Sequence, residues 1–502
     1  MFSYSEFKHD YELSHFRYIE PISDDYRVFL NGEEIPVYTC RISKFPFNRI
    51  WPGFQRPFDQ SEQASYVNIV SDEEITLEVI VNRKYEKILI KPYSKNIEFS
   101  DEGGKVRFSL RENGQFVLEA DSYHRCLYIF NSKPIAAPRK DEVTHFFGPG
   151  IHFPGKITLK TGDKVYIDKD ALVFGQIFAE NADDVHIFGN GVLDSGSEER
   201  VCIHCYEAFT NGNLKFYDCK NLRIEGIAMK NSAIWCVNLF GCESVTIDNI
   251  KVFGQWRYNT DGIDIVNSRN VRIANSFVHS FDDTVTVKGI DRYIERNCED
   301  ITVEDSVLWC DWGRTLEIGL ETACREYKNI AFKNCDILRS GGIAMDIQNG
   351  DCAQVHDITF TNINVEFNAF DTPPVYQETD EMRYEKENET DVPMLINILN
   401  PPFRNKDNES DWGIPYSDYE EIGKKGEHGT AHDITFTNIN VYYDDALPKE
   451  NGKPIVKMCF YSFFPEITYS DVSIENIAVN GERLKKEDVK FEQLAVKNFS
   501  FK

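Results

Sequence analysis

Asn221-Leu-Arg-Ile224, Ser244-Val-Thr-Ile247 and Asn270-Val-Arg-Ile273 repeat one phrase: a polar corner residue, an aliphatic, a polar residue, then Ile. The phrase occurs upstream at Asp184-Val-His-Ile187. It recurs downstream at Asp300-Ile-Thr-Val303, Asn329-Ile-Ala-Phe332, Asp357-Ile-Thr-Phe360, Asp433-Ile-Thr-Phe436 and Asp471-Val-Ser-Ile474. The steps from Leu222 to Val245, Val271, Ile301, Ile330 and Ile358 are 23, 26, 30, 29 and 28. β-Branched residues dominate and no helical period is present. A repeat of this length predicts a right-handed parallel β-helix, each turn stacked about 4.8 Å from the last. Asn and Asp suit left-handed corners and can form side-chain ladders. Leucine-rich repeats would need closely spaced Leu and a helical return. A propeller would need about four strands per repeat.

One near-duplicate interrupts the rhythm. His356-Asp-Ile-Thr-Phe-Thr-Asn-Ile-Asn-Val365 returns, after far more than one turn, as His432-Asp-Ile-Thr-Phe-Thr-Asn-Ile-Asn-Val441. The gap reads as one turn with two long loop insertions within about 368–431, around the apolar strand Met394-Leu-Ile-Asn-Ile-Leu399. Insertions on a solenoid decorate one face, often the binding face.

The segment 1–135 follows another pattern. Ile75-Thr-Leu-Glu-Val-Ile-Val81, Lys87-Ile-Leu-Ile-Lys91 and Gln115-Phe-Val-Leu-Glu-Ala120 alternate with period 2 and are separated by Gly-rich turns. They predict an antiparallel β-sandwich over 1–135, ahead of a β-helix domain over 136–502. The Pro-, Arg- and aromatic-rich stretch 45–58 has no strand period and reads as a plug or a binding loop.

Composition narrows the partners. A net charge of −27 repels nucleic acid and anionic lipid. No segment is apolar enough to predict a membrane span. The opening residues show no basic-then-apolar leader, and thirteen scattered cysteines read as buried free thiols. Both points predict a cytoplasmic protein. The oligomeric state stays open, a homo-oligomer included.

The chemistry concentrates in Asn259-Thr-Asp-Gly-Ile-Asp-Ile265 and Ser280-Phe-Asp-Asp-Thr-Val-Thr-Val-Lys-Gly289. Asp261 precedes the Asp282–Asp283 pair by about one turn of the repeat. The three carboxylates should therefore sit on neighbouring turns. Their repulsion favours keeping a proton on one of them, which gives the mixed acid and base that glycoside hydrolysis needs. Asp residues that merely cap β-helix corners are the plainer alternative, and the paired spacing counts against it. A calcium-dependent polysaccharide lyase is a second alternative, with Arg314 or Lys288 as its base. A non-catalytic sugar-binding β-helix is a third.

These motifs, with Asn231-Ser-Ala-Ile-Trp235 before them, resemble glycoside hydrolase family 28, the polygalacturonases, and the related family 49 of dextranases and isopullulanases. The resemblance spans roughly 140–365. It implies an inverting hydrolase with no cofactor or metal, with Asp282 as general acid and Asp261 and Asp283 positioning and deprotonating water. One-turn stacking puts backbones about 4.8 Å apart, whereas inverting carboxyls stand roughly 6.5–9.5 Å apart, so side-chain direction decides whether the geometry fits. A separate sandwich is similar to the family 49 layout.

Two departures bear on the substrate. Arg314 stands about where polygalacturonases carry the His of Gly-His-Gly. Ala344 and Asp346 stand where their Arg-Ile-Lys clamps a carboxylate. A methyl and an anion there disfavour galacturonate, so the expectation is a neutral oligo- or polysaccharide, α-glucan- or dextran-like. A pectic oligosaccharide is the alternative. Absence of a leader points to short substrates or exo-action, and the inserted loops would close one end of the cleft. Candidate substrate contacts are Asn259, Lys288, Arg314, Trp312, Asp346, Gln348, Trp256 and Glu317; Lys288 could instead pair with the aspartates, and Trp256, Tyr258 and Trp312 could form a stacking platform or pack in the core. His279 reads as structural. Glu317 and Glu321 read as surface or supporting groups, with Glu317 also a candidate for the extra carboxylate of a neutral-sugar site.

Overall fold

The computed structural model describes residues 22–44, 47–48, 60–198, 200, 212–351, 353–368, 375–376, 392–400, 429–462 and 469–502. The phrases that opened the sequence stack on one another. Parallel pairing runs Ile187–Ile224–Ile247–Ile273–Val303–Phe332–Phe360–Phe436–Ile474, the last residue of every phrase in turn. The first residue of every phrase, from Asp184 to Asp471, has a positive φ near 55° (53–60°). A left-handed residue turns the chain into each strand, and short polar side chains tolerate that conformation best. Their side chains also bond along the stack, as from Asn221 to Asp184 at 3.0 Å and from Asn329 to Asp300 at 3.1 Å. A second ladder, Asn476–Asn438–Asn362–Asn334–Asp305, runs at 2.8–3.0 Å per step. The interior is a continuous aliphatic column. Burying each of those side chains is worth roughly 1.5–3 kcal/mol.

The near-duplicate segments lie directly on each other. Gln354–Phe367 pairs with Thr430–Tyr443, His356 opposite His432 and Val365 opposite Val441. The stretch between the two histidines is therefore one coil, to which Met394–Asn400 contributes a strand beside Ile343–Gln348. Most of the insertion, and most of the 45–58 stretch, lies outside the described residues, as do the roles read for them. Phe47–Asn48 and Val375–Tyr376 pair in parallel, which joins the two segments.

Two five-stranded sheets precede the helix. One orders Glu33–Ile35, Tyr26–Leu30, Ile75–Val81, Lys105–Leu110 and Phe99–Asp101. The other orders Tyr38–Ser43, Ser61–Val70, Ser122–Ser132, Gly114–Ala120 and Ile88–Lys91. One pairing departs from the antiparallel expectation: Ser61–Val70 and Ser122–Ser132 run parallel. The chain leaves the second sheet after Val70 and visits the first before its return, and such a connection permits the parallel direction. The first sheet has one wet face, so Ile75–Val81 alternates buried and accessible positions. The second sheet is covered twice. Val67, Leu118 and Ile129 face the first sheet, whereas Tyr66, Tyr128 and Phe130 pack on Phe253, Phe277 and Trp309 of the helix.

Charges cross the same junction. Arg339 reaches both oxygens of Glu119 at 2.9 and 3.0 Å. Lys91 lies 2.9 Å from Glu366 and 3.8 Å from Glu119, and it donates to Asn368. Strand stacking and this junction fix one edge of the helix, and the candidate site lies on the coils beside it.

Candidate active site

The third strand of each coil carries the site. In this column Val237, Ile263, Val285, Leu316, Met345 and Ile396 point into the core. Their neighbours Asn238, Asp264, Thr286, Glu317, Asp346 and Asn397 share the opposite face, one per coil and in register. Asp261 stands in the turn just before Ile263–Val266. Asp282 and Asp283 occupy the same turn one coil on, before Val285–Gly289. Backbone bonds lock these turns together: Gly262 N–H to Asp283 O at 2.8 Å, Ile263 N–H to Thr284 O at 2.9 Å, and Thr284 N–H to Arg314 O at 2.8 Å. Stacking alone therefore brings the three aspartates together.

Gly313 sits where the side chains meet. A Cβ there would lie 2.6 Å from Oδ1 of Asp282, 2.5 Å from Oδ1 of Asp283 and 2.6 Å from the Asp283 backbone nitrogen. Only glycine leaves room for both carboxyls. Asp282 and Asp283 keep 7% and 6% exposure, and Asp261 is more deeply buried. Asn259, in the left-handed region at φ 57°, donates to Asp261 at 3.3 Å.

Lys288 is the hub. Its Nζ lies 2.9 Å from Asp261, 3.3 Å from Asp264 and 3.4 Å from Asp283, and 4.1 Å from the centre of the Trp235 ring. Burial disfavours the ammonium, yet the three carboxylates outweigh it and hold Lys288 well above its ordinary value. Arg314 brings the second cation, 3.7 Å from Asp283, 3.8 Å from Glu317 and 3.6 Å from Asp346. Its backbone N–H also donates to Asp283 at 3.0 Å.

The carboxyls divide by environment. Burial, then the charges of Asp261 and Asp283, push Asp282 well above the usual carboxylate range. Burial also raises Asp283, but Lys288 and Arg314 together outweigh it and hold Asp283 below that range. Burial raises Asp261 to about 7 against the opposing pull of Lys288. An acid that keeps its proton thus stands beside a carboxylate that has lost its own, which is the separation acid–base catalysis requires.

Several side chains named from the sequence are placed otherwise. Trp256 is 1% exposed, its Nε1 donating to Asn231 at 3.2 Å, so its ring is packed in the interior and offers no open stacking face. Asp346 is fully buried, its oxygens taken by Gln348 and Asn397, both at 2.7 Å. It stands 3.6 Å from Arg314, and one N–H of the Gln348 amide is directed at it. Glu317 is 0% exposed, which excludes the surface reading and leaves the supporting one. Trp312 and Tyr258 keep partial exposure beside the aspartates. His279 is buried, 2.8 Å from Tyr128 Oη and 2.9 Å from Asp311. Asp264 is the group that sequence reasoning passed over. Its signal was the alternation in Asp261-Gly-Ile-Asp264, which puts it on the strand face that carries the other polar groups. Of the described cysteines, all are free thiols, and nine of the ten are buried.

Comparison with known proteins finds likeness in sequence and in fold. The family model described as Glycosyl hydrolases family 28 matches residues 143–459. An exopolygalacturonase of Arabidopsis thaliana is 32% identical over 160 residues, 30% of this chain and 35% of that protein. A probable rhamnogalacturonase A of Aspergillus oryzae is 24% identical over 228 residues, 43% and 46% of the two chains. The chain thus spans about a third to a half of the length of these curated relatives. Among solved structures, Dex49A from Penicillium minioluteum superposes with a TM-score of 0.62 at 12% identity, over 93% of this chain and 91% of that one. That likeness extends through the sandwich and concerns the fold alone.

Proposed function

This chain belongs to glycosyl hydrolase family 28, and from that premise we propose that it hydrolyses O-glycosidic bonds with inversion. The observation that carries the reading is the meeting of two adjacent aspartates at one glycine with both cations beside Asp283, which pushes the Asp283 carboxyl down while burial pushes that of Asp282 up. Asp282 gives its proton to the glycosidic oxygen as the bond to the anomeric carbon breaks. Asp283 accepts a proton from water, whose oxygen forms the new bond on the opposite face, and Asp261 helps to hold that water. The cycle leaves Asp282 ionised and Asp283 protonated, and exchange with solvent resets both. Inversion is characteristic of the family, and the charges around the aspartates support this division of labour. Lys288 bridges Asp261 and Asp283 and makes no ion pair with Asp282 among the described residues, which supports assigning the first two to water and the third to the leaving group.

The lyase alternative fits less well. The Lys288 ammonium already occupies the centre of the aspartates, where a calcium ion would need to stand. Lys288 and Arg314 are both held protonated by their carboxylates, so neither is a ready base.

The substrate we propose is neutral. Neither Ala344 nor Asp346 supplies a cation, and both are buried. A chain of net charge −27 also repels a polyuronate. A galacturonate-bearing substrate is the second reading, favoured by the names of the sequence relatives and by Arg314, whose side chain is 27% exposed at the site. A panel of neutral α-glucan and oligogalacturonide substrates, with the product anomer followed by NMR, separates these readings. Galacturonide turnover equal to that on neutral sugars would end the neutral reading. A retained anomer would end the inverting one.

A further inference from the structure

Glu317 has a peculiar place in the site. It lies on Arg314–Thr322, in register between Thr286 and Asp346, with no exposure to solvent. Among the described residues, no donor hydrogen-bonds either of its oxygens. Its nearest cation, Arg314, stands at 3.8 Å and is shared with Asp283 and Asp346. Asp283 and Glu317 share Arg314, at 3.7 and 3.8 Å, and a proton on either carboxyl would let it hydrogen-bond the other. Two carboxylates cannot bond to each other; one of them must carry a proton.

Charge counting says which. Lys288 and Arg314 face six buried carboxyls in this cluster, Asp261, Asp264, Asp282, Asp283, Glu317 and Asp346, and the half-buried Glu321 acts on Lys288 as well. Both cations and an Arg314 N–H converge on Asp283, which is therefore the carboxylate. We propose that Glu317 is a positioning residue that holds a proton at neutral pH and donates it in a hydrogen bond to Asp283, fixing that carboxylate as the base. Burial and the neighbouring Asp283 charge push Glu317 well above the ordinary range, against Arg314, which agrees. The groups facing Glu317 are Asp283, Arg314, Asp346 and Lys288. This role rests on the assignment of Asp283 under the proposed function, but the proton on Glu317 can be tested without it.

The test uses the full chain. Difference infrared spectra of the parent and E317Q, at neutral pH, read the carbonyl stretch of a buried protonated carboxylic acid. A band lost in E317Q supports the proposal. A lost carboxylate band overturns it, because Glu317 is then an anion paired with Arg314. Kinetics on the substrate found by the panel supply the second readout. The amide introduced by E317Q keeps an N–H donor, so this variant should hold kcat within a few-fold, with KM and the acid limb of the pH profile unchanged. E317L removes the donor, which raises the pKa of Asp283. Its acid limb should move up by about one pH unit, the scale of one hydrogen bond to a charged group. An E317L limb that stays put, or an E317Q as impaired as E317L, overturns the proposal. Thermal melts of both variants identify misfolding. If D282N also leaves turnover intact, the catalytic reading fails while the infrared result stands.

Discussion

Two buried charge clusters among the described residues are built on opposite principles. At the junction of sandwich and helix, Lys91 and Arg339 meet Glu119 and Glu366, two cations with two carboxylates. Burial opposes the charge on Lys91, Glu119 and Glu366; for Lys91 and Glu119 the partners outweigh it, whereas Glu366 is raised by burial against the pull of Lys91. At the candidate site two cations meet six carboxyls, and burial drives Asp264, Asp282 and Glu317 toward the neutral acid. A balanced cluster holds domains together. An unbalanced one stores protons, at a cost in stability. The difference teaches that burial of charge alone does not mark a catalytic site; the mismatch between cations and carboxyls does.

The largest expected effect breaks the comparison at its catalytic end. D282N removes a transferable proton but keeps the shape. It should lower kcat by roughly 10²–10⁴-fold, the usual worth of a general acid, with the melting temperature equal to the parent's or higher. Steady-state kinetics and a thermal melt check both. A variant that loses stability instead would make this cluster structural, like the junction.

The second effect falls on the junction. R339M leaves Glu119 buried beside Lys91 alone and should destabilise by about 3–5 kcal/mol, the usual consequence of breaking a buried pair. Denaturant unfolding measures it. Loss of stability with kcat per folded molecule preserved would keep the two clusters separate. Third, K288M takes one cation from Asp261 and Asp283. Removing a positive charge raises the pKa of a carboxylate, so the acid limb of the rate profile should move to higher pH, with about a tenfold loss near pH 6, or ~1.4 kcal/mol. A pH series of kcat/KM shows it.

The sequence disclosed these regions unequally. The β-helix was legible because one corner residue and one inward aliphatic recur on every coil, and each such corner is left-handed in the structure. Asp261, Asp282 and Asp283 were legible for the same reason, since one-turn spacing becomes lateral contact. The junction was not. Glu119 and Arg339 are 220 residues apart and Lys91 and Asn368 are 277 apart, with no periodicity between them. Trp256 stayed open between cleft and core because nearness along the chain does not give the direction of a side chain, and its burial decides for the core. Glu317 and Asp264 were obscure because their meaning lies in which side chains face them across coils, and that depends on register.

The smallest effect sharpens the comparison through the sign of its pH dependence. Asp264 lies 3.3 Å from Lys288, but neither of its oxygens accepts a hydrogen bond among the described residues. Burial raises its folded pKa well above the ordinary value. The folded state then binds the proton more tightly than the unfolded chain, so the contribution of Asp264 to stability falls as pH rises from its unfolded pKa near 4. D264N removes that slope. At about pH 4 parent and variant should agree within ~1 kcal/mol, and by pH 8 the variant should be the more stable. Glu119 has the opposite sign. Burial raises it, but Arg339 and Lys91 prevail and its folded pKa is lowered. Its contribution is present above the unfolded pKa and disappears as pH falls through the folded one. E119Q should therefore lose most stability near neutrality, with the gap closing in acid. Unfolding titrations read the two slopes, D264N from about pH 4 up to about pH 8 and E119Q from about pH 6 down to about pH 2. Slopes of the same sign would mean that Asp264 is an ordinary ion-pair partner of Lys288, and that the proton store is smaller than six carboxyls around two cations imply.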